Sequence, residues 1–113
     1  MRIAFFAAAF TLAATSAAAG TLATQNFKKG NVEAQLTITD VRCKGGPAPY
    51  NKETLTPVAG TAYILTTGGD KARGCWSAPW PSQEIEVQWS DGAVGRYQMG
   101  EFQPTNYGQA HGW

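Results

Sequence analysis

From Val32 to Asp40 the chain reads VEAQLTITD, with Val32, Ala34, Leu36 and Ile38 at one parity and Glu33, Gln35, Thr37 and Thr39 at the other. A period of two carried by β-branched residues predicts a half-buried strand. TAYILTT, residues 61–67, predicts a second strand, and CWSAP, starting at Cys75, predicts a third. The clearest local signal is EIEVQWSDGAVGRYQM, residues 84–99, where Ile85, Val87 and Trp89 oppose Glu84, Glu86 and Gln88 ahead of Asp91-Gly92. An Asp-Gly pair between alternating runs predicts a hairpin, because glycine takes the positive φ that such turns demand. Residues 94–99 are then the return strand. Residues 44–60 are dense in Gly, Pro, Asn and Thr and predict a long loop, and GGDKARG, residues 68–74, predicts a flexible basic hairpin loop. GEFQP predicts a turn that brings Phe102 back under the sheet. Residues 20–30 and 105–113 lack an apolar period and are expected to be a flexible leader and a flexible tail. Five short strands and almost no helical period predict a small all-β domain over residues 31–104, either a barrel or a sandwich.

The first twenty residues change the picture of where this domain resides. MRIAFFAAAFTLAATSAAAG carries Arg2, an apolar run from Ile3 to Leu12, and small residues ending in Ala17-Ala18-Ala19. That layout predicts a secretory signal peptide over residues 1–19, cleaved before Gly20. A membrane anchor needs about 20 consecutive apolar residues, and Thr11, Thr15 and Ser16 interrupt this run. Removing 19 of the 113 residues leaves 94, with no stable membrane span expected, in the periplasm or secreted. In an oxidising compartment Cys43 and Cys75 read as a disulfide. Their separation of 32 residues corresponds to about 3.7 kcal/mol of stabilisation in the chain-entropy account. Two sulfurs and His111 alone make a poor tetrahedral metal set, and the C-x-x-C spacing of a redox pair is missing. Neither a metal nor another cofactor is expected.

The full chain has a formal net charge of +1, and loss of Arg2 leaves eight basic against eight acidic residues. That balance argues against a broad basic face, so no nucleic-acid partner is expected. The charges are uneven along the chain: residues 74–113 hold Arg96 alone against Glu84, Glu86, Asp91 and Glu101.

Residues 85–104, IEVQWSDGAVGRYQMGEFQP, resemble the closing hairpin of small barrels of the Src-homology and Tudor type, which implies that the five strands, with their one disulfide, form a Src-homology-like barrel. TITDVRC (37–43), GCW (74–76) and WSDG (89–92), in that order behind a signal peptide, are similar to short exported proteobacterial and phage proteins of unknown function. That second resemblance implies a shared one-bridge architecture and brings no activity with it.

Catalytic chemistry has little to draw on. His111 lies in the expected tail, away from a nucleophile. Glu84 and Glu86 share a strand face, as the paired carboxylates of a small hydrolase would, but their alternation with Ile85 and Val87 fits a solvated face. No catalytic residue is expected. Aromatic residues are the richer resource. Trp89 continues a core face, and Trp76 is expected to pack on the disulfide. Tyr97 is expected either across the hairpin from Trp89 or facing outward with Arg96 close by. Trp80, framed by Pro79 and Pro81, is held in an extended loop. It reads either as a contact anchor or as a plug over the barrel end. The expected binding surface is therefore Trp80 with Trp76, Tyr97, Arg73 and Lys71. The expected function is an exported, non-catalytic module that binds an envelope protein or cell-wall glycan. The alternative is an inhibitor or immunity-type protein that presents its basic loop to an envelope or phage enzyme.

Overall fold

The computed structural model describes residues 20–79 and 83–113; the expected signal peptide and Trp80 lie outside the described residues. Seven strands form in chain order: β1 (Thr21–Lys29), β2 (Val32–Thr39), β3 (Ala59–Thr66), β4 (Lys71–Ser77), β5 (Glu84–Trp89), β6 (Val94–Gln98) and β7 (Gln103–Pro104). A 3-10 turn, Met99–Glu101, and a short helix, α1 (Asn106–Ala110), complete the description. The single antiparallel sheet runs β6-β5-β4-β3-β2-β1-β7, so each hairpin adds a neighbour and β7 returns to the free side of β1. The sheet curls until Phe27 on β1 meets Tyr97 on β6, with ring centroids 5.8 Å apart. The fold is thus all-β with one disulfide, as expected, but it is a seven-stranded half-barrel where five strands were expected.

Both additional strands come from stretches without a readable period. β1 replaces the expected flexible leader and pairs with β2 from Thr21↔Thr39 to Lys29↔Val32. A register shift between Thr21 and Ala23 turns both Leu22 and Ala23 into the core, where they are fully buried. A bulge of this kind breaks the alternation by which a strand is recognised. β7 is held by Ala23 and Thr24 of β1 rather than by apolar side chains of its own.

The concave face carries Leu36, Ile38, Ala62, Trp76, Ile85 and Val87, all essentially fully buried. Phe102 lies under the sheet at 4 % exposure, as the turn before it predicts. The expected flexible tail is also ordered. Thr105 caps α1 by accepting from the Gly108 amide, and its hydroxyl donates to the carbonyl of Thr21 at 2.5 Å. Trp113 then places its ring against Trp76 and Phe102 at 5.8 and 5.9 Å, both edge-on. Edge-to-face pairing suits the quadrupole of aromatic rings.

The two ends of the sheet differ. At one, the hairpin end, short turns join β1 to β2, β3 to β4 and β5 to β6. At the other, the loop end, residues 40–58 join β2 to β3, residues 78–83 join β4 to β5, and the C-terminus closes over the core.

Two close approaches need glycine. A Cβ at Gly60 would collide with the carbonyl of Thr39 and sit 2.9 Å from Trp76 Nε1, and a Cβ at Gly108 would collide with the carbonyl of Leu22. Gly60→Ala and Gly108→Ala are each expected to lower stability by about 1–3 kcal/mol, the usual penalty for overpacking. Urea denaturation of the oxidised protein measures this.

Candidate functional site

The site is built outward from Trp76. Its indole N–H donates to the Thr39 carbonyl at 2.7 Å, which satisfies the one polar group that the buried ring carries. Successive side chains on a strand face opposite ways, so Trp76 points into the core at 1 % exposure while Cys75 lies exposed on the convex face. Two expectations change accordingly. Trp76 does not pack on the disulfide, and a residue this deep is no part of a binding surface. The Cys43–Cys75 bridge spans 5.8 Å between Cα atoms and pins the start of the long loop to β4 from outside.

One residue past β2, Asp40 gathers three parts of the chain. Its Oδ2 accepts hydrogen bonds from the Tyr50 and Tyr107 hydroxyls, both at 2.6 Å. Its backbone amide donates to the carbonyl of Gly20 at 2.9 Å. His111 stacks on Tyr107 with ring centroids 3.9 Å apart, and its Nδ1 lies 2.8 Å from the Tyr107 carbonyl. Both phenols hold their protons above the ordinary tyrosine range. For Tyr50 the main cause is burial, followed by the bond to Asp40; for Tyr107 the bond to Asp40 comes first, then burial.

This cluster anchors the rim of a cleft of about 640 Å³ at the loop end. Its apolar wall is formed by Pro57, Val58, Ala78, Pro79, Met99 and Trp113. Asn51, Glu53, Thr54 and Gln83 supply polar groups. The rim is rigid for a loop. Asn51 Oδ1 accepts from the amides of Glu53 and Thr54, the Asn51 carbonyl accepts from Leu55, and the Val58 amide donates to Pro49. At its tip Leu55 adopts φ +60 and is 70 % exposed. A left-handed conformation costs a branched aliphatic residue energy that the surrounding hydrogen bonds must offset.

The described members of the expected surface lie on different faces of the sheet, and Trp80 lies outside the described residues. Pro79 and Gln83, the described residues on either side of the segment containing Trp80, line the cleft. Lys71 and Arg73 lie on β4 itself, exposed on the convex face, and not in a flexible loop. The residue 68–74 stretch begins at the hairpin end and does not border the cleft, whereas residues 51–58 of the long loop do. Tyr97 is half-buried on the concave side and lies opposite Ile85, not Trp89. On the convex face Glu86 pairs with Arg96 at 3.0 Å, and Glu84 accepts from Gln98 at 3.4 Å. Asp40, Tyr50, Tyr107, His111, Met99, Leu55 and Trp113 stand outside the binding surface that the sequence predicts. The loop that carries Tyr50 and the aromatic C-terminus are visible in the sequence, but no local pattern connects them.

The phenol shifts have a consequence above neutral pH. Folded protein keeps tyrosine protons that the unfolded chain releases, so this contribution to stability is whole below about pH 10 and is lost as pH rises further. Denaturant melts between pH 8 and 11 are expected to show a declining midpoint, and Tyr50→Phe is expected to flatten that decline. Comparison with protein families, with curated proteins and with solved structures returned no match.

Proposed function

We propose that this protein is an exported, non-catalytic binding module, periplasmic or secreted, whose loop-end cleft contacts an envelope protein or a cell-wall glycan. The observation that carries this reading is the make-up of the cleft. An indole, a thioether and two proline rings form its wall, and two amides and a carboxylate stand around them. Flat apolar surfaces accept the C–H face of a sugar or an aliphatic side chain, while a few placed polar groups fix orientation. Pro79 and Gln83, the described residues that flank Trp80 in the sequence, line this cleft, which suits the anchor role expected of that tryptophan. The disulfide fits an oxidising compartment.

A second reading draws support from Lys71 and Arg73. Both are exposed, and neither has an acidic partner among the described residues. An inhibitor that docks on an acidic enzyme through this convex face would bind by electrostatics. Such binding weakens steeply with ionic strength, whereas contact through the cleft weakens little.

Mature protein is expected to be retained by purified cell-wall sacculi or by one protein of the envelope fraction, with Trp80→Ala lowering retention by about tenfold or more. Equal retention of Trp80→Ala and parent, in protein shown to be folded, would remove the cleft from consideration. A steep loss on adding salt would favour the convex face. Leu55→Gly is expected to raise stability by about 1 kcal/mol through relief of backbone strain while reducing retention, which thermal melts and the same binding assay measure together.

A further inference from the structure

Asp40 is a half-buried carboxylate with only neutral donors on one of its oxygens. Oδ2 holds both tyrosine hydroxyls. Oδ1 faces Gly20, where an added Cβ would lie 3.3 Å away. Gly20 is itself buried, takes φ +96, and is tied to Asp40 through its carbonyl. Among the described residues the ion pair is Arg96 with Glu86, and Asp40 makes none. A carboxylate withdrawn from water without a counter-charge is costly. The Gly20 nitrogen is bonded to the same Cα as that Cβ position, and it is also the atom freed when the chain is cut after Ala17-Ala18-Ala19.

We propose that cleavage of the Ala19–Gly20 bond delivers the new α-ammonium of Gly20 to Asp40, so that processing itself supplies the missing counter-ion and locks the loop end. This rests on the export part of the function proposed above. The step is a hydrolysis by a leader peptidase: water adds across the amide, the C–N bond breaks, Ala19 keeps a carboxylate and Gly20 takes an ammonium, with no other reactant. The ammonium would then face Asp40, Tyr50 and Tyr107, with His111 stacked behind Tyr107. Opposite charges a few ångströms apart in a partly dry site attract far more strongly than in water. One cluster would then bind together the start of the mature chain, the end of β2, the long loop and the segment leading to Trp113.

The test begins with the mass of the protein recovered from the exported fraction, which is expected to correspond to a chain starting at Gly20. A terminus elsewhere overturns the proposal, and intact precursor in that fraction also counts against export. The terminal glycine is then converted to a glyoxylyl group by transamination, which removes its charge and leaves the lysines untouched. The melting temperature is expected to fall by about 5 °C, the order that one lost interaction produces in a domain of this size. In Asp40→Asn the same conversion is expected to cause no further fall. Equal falls in both backgrounds would sink the ion pair while leaving export and cleft binding standing. If Asp40→Asn does not fold, the pH dependence of acylation at the terminal amine decides. An amine held by Asp40 titrates above the ordinary α-amino range of about 7.7–8.0, and one titrating within that range refutes the pairing.

Discussion

The hydrogen bond from the Trp76 indole to the Thr39 carbonyl is the constraint on which much of this structure depends. A buried indole brings the largest apolar surface of any side chain and one donor that must be satisfied. Satisfying it at the last residue of β2 sets how closely β2, β3 and β4 approach at the loop end. It also demands that Gly60 carry no side chain, since the indole nitrogen and the Thr39 carbonyl occupy that space. The ring so fixed packs edge-to-face with Trp113, and the C-terminus can therefore close the core instead of fraying.

From this follows the contrast between the two ends of the half-barrel. At the hairpin end, short turns such as Asp91-Gly92 are determined locally and leave few side chains to spare. At the loop end, closure comes from afar. Asp40 receives one hydroxyl from 10 residues away and another from 67 residues away, and the disulfide adds a link across 32 residues. Long-range ties of this kind hold irregular backbone firmly enough to frame a cleft, and binding sites tend to lie on loops that a rigid scaffold positions.

The legible and illegible parts of the chain divide on physical grounds. β2 and β5 were readable because one face of each meets the core and the other meets water or polar neighbours, which writes a period of two into the residues. Adjacent strand residues point apart, so Cys75 outside already requires Trp76 inside, and the expected stacking of Trp76 on the bridge was excluded by alternation alone. β1 was not readable, because its bulge buries Leu22 and Ala23 in succession and its remaining residues owe their place to pairing with β2. The loop-end cluster was not readable either, since a tyrosine in a proline-rich loop looks alike whether it is solvated or bonded to a distant carboxylate.

By itself, the sequence determined the alternating strands, the Asp-Gly hairpin and the one possible disulfide, all of which depend on neighbours within a few residues or on cysteine count. Only the tertiary structure decided that the polar leader becomes the strand next to β2, that the tail becomes a cap, and that Asp40, Tyr50 and Tyr107 meet beside a cleft. Strand alternation is enforced by a single interface between core and solvent and so leaves a periodic trace. The meeting of side chains tens of residues apart depends on how the sheet curls and which loops can close over it, and no local period encodes that.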